Sequence, residues 1–251
     1  MKDYDTILSK AKETIQPVLL KMERMEEIYL KANEKNYTQE RIEDIKDSLS
    51  AVRFKYFLSH SHLEELWTLS EKHRLSLPEL IENSVNVHKW NDNDLLLGSM
   101  FLESFLFQTR AFIDFHMRSV CLILNQDPPV YMSLRKFEES IKKITNDKFK
   151  DRARRLKRIF ENDVFGENKW GHVLRSIRDK IAHRGKLKPS LHGNETIASV
   201  LLDWPTIRKM TFERFAQDIQ EGSFDMLRDT TPYLYELEWK TGPYNPNAWG
   251  N

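Results

Sequence analysis

The stretch from Asp94 to Leu124 limits the fold more than any other part of the chain. It contains no proline, and Leu97, Phe101, Phe105, Phe112, Phe115 and Val120 return at helical spacing. One long amphipathic helix follows, with an apolar face wide enough that other helices must cover it. Glu103, Arg110, Asp114 and Arg118 interrupt its apolar run, so it is not read as a membrane span. Asn91-Asp92-Asn93-Asp94 supplies the turn and cap that open it.

The rest of the chain repeats the pattern, and only eight glycines occur in 251 residues. A helix is expected from Tyr4 to Ala32, kinked or divided at Pro17, with Ile7, Ile15, Val18, Leu19, Met22, Met25 and Tyr29 on its buried face. A second is expected from Thr38 to Arg74, with Thr38 as N-cap and Ile42, Ile45, Leu49, Val52, Phe57, Leu63, Leu66 and Leu69 as its stripe. The two read as an antiparallel hairpin. Leu75 to Pro78 reads as a break and Pro78 to Val87 as a short helix. Leu134 to Ile144 and Asp147 to Phe160 read as helices, Asn162 to Trp170 as a loop. Beyond Gly185, Ser190 to Glu195 reads as loop, Thr196 to Leu202 as strand or helix, Thr206 to Gln220 and Pro232 to Trp239 as helices, and the end from Thr241 as a loose tail. The fold class expected is therefore all-α. It has an N-terminal helical hairpin region over 1–90, a helical core over 91–190 and a C-terminal helical extension and tail over 191–251.

A net charge of +1 leaves binding of a polyanion to a local patch. The densest basic run is Lys148, Lys150, Arg152, Arg154, Arg155, Lys157 and Arg158. Phe165 and Trp170 follow it, read as core residues rather than as platforms for an unpaired base. Cys121, the one cysteine, rules out an internal disulfide framework and reads as buried and inert in a reducing compartment. With no signal peptide at Met1 to Asp5, the expected location is cytoplasmic. His60, His62, His73 and His88 lack the spacing of a metal site. No phosphate-binding glycine loop and no serine-hydrolase elbow is present.

The richest stretch runs from Leu174 to Gly185. Leu174, Ile177 and Ile181 form one apolar stripe, and Gly185 followed by Pro189 stops the helix just after His183. Partial negative charge at a helix C-terminus favours a protonated imidazole at His183. Asp179 lies four residues earlier on the same face, able to orient the ring. Arg178, five residues before His183, is about 140° around the helix. Arg178 and His183 are brought together most simply by two antiparallel copies of the helix across a twofold axis. The alternative reading is the solvated face of an amphipathic helix. Arg53 to His60 and Arg110 to His116 have similar spacing and read as accidental.

Arg178-Asp179-Lys180-Ile181-Ala182-His183 resembles the R-(N/D)-x3-H form of the R-x4-6-H signature of the HEPN superfamily, and the resemblance runs from about Asp94 to Lys188. It implies a HEPN-like helical bundle with the N-terminal hairpin added to it, a homodimer, and metal-independent endoribonuclease activity in a toxin or phage-defence protein. It implies no metal and no cofactor. RNA is the implied substrate and an antitoxin or defence protein the implied partner, although Gly185 stands where members paired with nucleotidyltransferases carry Tyr. His183 would act as general acid or base, Arg178 would neutralise charge on the phosphate and Asp179 would orient His183. Arg175, Lys180, Arg184, Arg154, Arg155 and Arg158 would bind RNA. Arg110 and Asp114 either satisfy each other or support the catalytic helix from its neighbour. A non-catalytic nucleotide-binding or protein-interaction module is the alternative, because some members of the family bind without cleaving.

Overall fold

The computed structural model describes residues 4–72, 75–76, 87–184, 190–194, 199–203, 207 and 210–237, and the side chains of 13, 15–70, 95–177, 207 and 210–237. The chain is mostly helical. Helix α1 (Tyr4–Asn33) runs through Pro17 without dividing, and a short 3-10 turn (Glu34–Asn36) leads into α2 (Gln39–Lys72). Thr38 caps α2 as expected, its Oγ1 accepting from the Arg41 amide at 3.2 Å. Helix α3 (Val87–Ile123) begins before the expected Asp94 and packs along α2 over most of its length. It is followed by α4 (Leu134–Lys142), capped by Ser133, and α5 (Asp147–Arg158), capped by Asn146. Helices α6 (Trp170–Arg184) and α7 (Phe212–Tyr235) are the last two among the described residues.

The described residues are mostly helical, in line with the all-α expectation, and one correction concerns a small sheet. Leu75–Ser76 (β1), Ser190–Asn194 (β2) and Ser199–Asp203 (β3) pair antiparallel in the order β1-β3-β2, with Leu191 opposite Leu202 and Leu75 opposite Val200. Ser190 to Glu195 is expected as loop; over Ser190–Asn194 the pairing with Ser199-Val200-Leu201-Leu202-Asp203 makes a strand instead. The short helix expected from Pro78, the tail from Thr241, and His73 lie outside the described residues. So do the side chains of Ile7 and His88.

A second correction concerns the C-terminal region. The two helices expected over Thr206–Gln220 and Pro232–Trp239 are one helix, α7, which contains Gly222 and Pro232. Packing decides this. Ser223, Phe224, Met226, Leu227, Thr230 and Thr231 are all buried, and the hydroxyls of Thr230 and Thr231 donate back to the carbonyls of Met226 and Leu227 at 2.7 and 2.6 Å. Burial of that face offsets the weak helix preference of Gly, Thr and Pro. The helix ends at Glu236, whose φ of 56° is left-handed.

One buried cluster draws on every helix from α1 to α7. Phe105 and Phe112 of α3 lie at its centre with Tyr56 of α2, Phe137 of α4, Phe160, and Phe212, Phe215 and Phe224 of α7. The expected stripes of α1 and α2 are buried at the described positions, with Leu19 and Phe57 only partly so. On α3, Leu97 is 40% exposed and is not a core residue. Cys121 is buried, and burial pushes its thiol up to about 12, out of reach of the thiolate that reactivity requires. No helix among the described residues is long and apolar enough to cross a membrane.

Candidate functional site

Helix α6 is held at its start by an unusual connection. Helix α5 continues into a π turn over Ile159–Val164, closed by the Phe165 amide donating to the Phe160 carbonyl at 2.9 Å. The sequence explains the widening. Ile159, Phe160, Val164 and Phe165 are all buried, and apolar residues recurring five apart share one face only when the turn closes i to i+5. Gly166 follows, where a Cβ would collide with the Asn162 carbonyl, and Asn168 adopts a left-handed φ of 63°. A Cβ on Gly171 would stand 2.7 Å from the Val164 carbonyl. Trp170 then packs against α7, where Gly222 leaves no side chain in the way of the indole. Phe165 and Trp170 are core residues, as their sequence context suggests.

From that anchor α6 buries Val173, Leu174 and Ile177 and leaves Arg175 exposed. The helix ends at Arg184, which puts position 183 in its last turn, among carbonyls without helical partners. Positions 175, 179 and 183 form an i, i+4, i+8 row, whereas position 178 is about 140° from 183. The side chains of Arg178, Asp179, Lys180, Ile181, His183 and Arg184 lie outside the described ones.

Arg110 and Asp114 of α3 pair with each other. The guanidinium Nη2 is 2.7 Å from Asp114 Oδ1 and Nε donates to Oδ2 at 3.2 Å. Arg110 also stacks over Phe165, 5.1 Å from the ring centre, so it touches the connection into α6.

The two other matches to the R-x-H spacing are structural. Arg53 pairs with Glu26 of α1, and burial raises the Glu26 carboxyl above its ordinary value despite that arginine. His60 donates from Nδ1 to the Tyr56 carbonyl at 3.0 Å and packs edge-on against the Tyr56 ring. His116 lies 2.8 Å from the Thr230 hydroxyl, whose own hydrogen goes to Met226, so Nε2 is the donor. The free nitrogens, Nε2 of His60 and Nδ1 of His116, have no partner among the described residues. Burial holds both imidazoles down at about 4, hence neutral at physiological pH. Among the described residues no group of three His, Cys, Asp or Glu side chains is placed to hold a metal.

The basic run on α5 divides by use. Arg152 is structural: it donates from Nε to the Tyr233 carbonyl at 2.7 Å and from Nη1 to Glu236 at 2.8 Å, closing the C-terminal end of α7. Nothing in the sequence separates it from its neighbours. Lys157 pairs with Glu161 at 2.8 Å. Arg154, Arg155 and Arg158 are exposed and line a cleft of about 1190 Å³ between α5 and α7, together with Asn162, Asp163, Arg228 and Tyr233. The α7 residues of this cleft carry no sequence signal that would have identified them; only the packing of α7 against α5 brings them there.

No protein-family model, curated protein or solved structure matches this chain.

Proposed function

We propose that the chain is a HEPN-like, metal-independent endoribonuclease that acts as a homodimer, with Arg178, Asp179 and His183 at its centre. The observation that carries this reading is the position of the R-D-x3-H stretch: it fills the C-terminal half of a helix that ends one residue after His183. An imidazole there gains from the helix dipole when protonated. The HEPN-like bundle and the N-terminal hairpin belong to the same proposal, as do the toxin or phage-defence role and an antitoxin or defence partner.

In this chemistry the ribose 2′-OH attacks the adjacent phosphorus, and the bond to the 5′-oxygen breaks. His183 moves the proton as general base or acid, and Arg178 of the facing copy neutralises the charge that grows on the phosphate oxygens. Asp179 orients His183, while Arg175, Lys180 and Arg184 hold flanking phosphates. The products carry a 2′,3′-cyclic phosphate and a 5′-OH, and DNA survives because it lacks the nucleophile.

The test is incubation of wild-type and His183→Ala protein with a mixed RNA pool in EDTA, with the fold checked by circular dichroism. Cleavage by wild type alone, with cyclic-phosphate ends, is the expected result. Intact RNA with both proteins across pH 5 to 9 would leave the non-catalytic binding module as the better reading.

A further inference from the structure

We infer that the cleft between α5 and α7 is a second RNA-binding surface that takes the phosphate backbone of a single strand, with a base stacked on Tyr233. The choice of RNA as ligand rests on the ribonuclease reading; the cleft itself does not. Its arginines differ in how far they are already engaged. Arg228 is held between Asp225 and Asp229 at 2.7 and 2.8 Å and is largely neutralised. Arg154 pairs with Asp151 at 3.1 Å, but the two side chains are 77% and 84% exposed, and a pair so wet gives way readily to a phosphate. Arg158 is exposed and has no ion pair among the described residues. Among the described residues Arg155 meets only the Tyr233 ring, 5.7 Å from its guanidinium carbon.

Spacing brings these cations together. Arg154 and Arg158 stand i, i+4 on α5, and Arg155 and Arg158 stand i, i+3, so the three guanidiniums share one helix face. Tyr233 is half-buried beneath Arg155. An aromatic ring under a guanidinium accepts any base by stacking while the arginine meets the phosphate. The π turn at Ile159–Val164 supplies Asn162 and Asp163 to the rim, and turns of this kind often mark functional sites.

The cleft fits a thread better than a compact ligand or a flat surface. Its volume of about 1190 Å³ exceeds the roughly 300–1000 Å³ of most small-molecule pockets. Three carboxylates, Asp151, Asp163 and Asp229, also stand in its wall, so a uniformly anionic surface fits poorly, whereas a strand can place its phosphates along Arg155 and Arg158. Trp170, which meets Gly222 of α7, is the first residue of α6. Position 183 lies 13 residues further on, about 20 Å along the axis at about 1.5 Å per residue.

The test uses the full chain carrying His183→Ala, so that RNA is not turned over, and the anisotropy of a fluorescent unstructured 12-mer RNA between 50 and 200 mM salt. Arg155→Ala with Arg158→Ala is expected to weaken binding at least tenfold and to flatten the salt slope by about 1.4, two phosphate contacts at about 0.7 each for a single strand. Tyr233→Phe is expected to bind like the parent and Tyr233→Ala about tenfold more weakly. Arg135→Ala, on α4 outside the cleft, is expected to change nothing. Unchanged affinity and slope in the Arg155/Arg158 variant would overturn the inference, as would a parent that binds no RNA. Cleavage separates the two readings. Cleft-dependent binding without cleavage by wild type would sink the ribonuclease and keep the cleft. Cleavage with binding that ignores the cleft variants would do the reverse.

Discussion

Acid should unfold this protein through two buried histidines. His60 and His116 are fully enclosed, each with one nitrogen donating and the other without a partner among the described residues. A second proton would have to sit on that enclosed nitrogen, which is why burial holds both imidazoles at about 4, against 6.5 for an exposed ring. In the unfolded chain both take up a proton as pH falls through 6.5; in the native protein neither does until about 4. The unfolded state binds more protons between those values, so stability is lost over that window as pH falls. From pH 7 to pH 5 the loss is about 2 kcal/mol per histidine and about 4 kcal/mol for the pair. Glu26 and Asp225 act in the opposite sense, since burial raises both carboxyls and the native state takes up their protons first. A comparison between variants cancels their contribution. His60→Asn keeps a donor at the Nδ1 position and His116→Gln keeps one at the Nε2 position, and neither residue titrates. Urea unfolding of wild type and the double variant at pH 7 and pH 5 gives the measurement. Wild type should lose about 4 kcal/mol more than the double variant over that interval. Equal losses would refute the assignment of these histidines as the acid-sensitive groups.

Gly222→Ala should destabilise the fold although alanine is the better helix former. The gain in propensity is about 1 kcal/mol, but the new methyl overlaps the buried Trp170 ring, and overpacking of this kind costs about 1–3 kcal/mol; a rise in the thermal midpoint would contradict that packing. Arg152→Ala should lower stability by roughly 1–3 kcal/mol because it leaves the last carbonyls of α7 without their charged donor, whereas Arg154→Ala, on the solvent side of the same helix, should stay within about 0.5 kcal/mol. Equal effects would mean that Arg152 caps nothing.

Most of the helical frame was legible because it rests on local signals. Thr38, Ser133 and Asn146 cap where the sequence places a small polar residue before a periodic apolar run. Period 3.6 located the faces of α1, α2 and α3 well enough that the misassigned core position, Leu97, lies toward the less covered end of its helix. The failures share one physical cause, the override of local preference by distant partners. Ser190 to Asn194 looks like loop until β3 pairs with it, and Gly222 and Pro232 look like breaks until α5, the π turn and α6 cover α7. The π turn had a signal, apolar residues five apart, that a search for periods of 3.6 and 2 passes over.

The candidate site divides along the same line. Chain order alone joins Arg178, Asp179 and His183, because spacing along one helix is a local property. Whether an R-x-H spacing means chemistry is not a local property, and the surroundings of the matches in α2 and α3 differ from those of a helix end. Arg53 and Arg110 each have an acidic partner within reach, and His60 and His116 are each enclosed with one hydrogen bond and kept neutral. A histidine held near 4 is a poor acid–base catalyst at neutral pH, since it is almost never protonated there. The last turn of α6 offers the opposite environment, carbonyls that favour the imidazolium. The same spacing thus gives packing in α2 and α3, and a proton-transfer role at the end of α6 belongs to the ribonuclease reading proposed above.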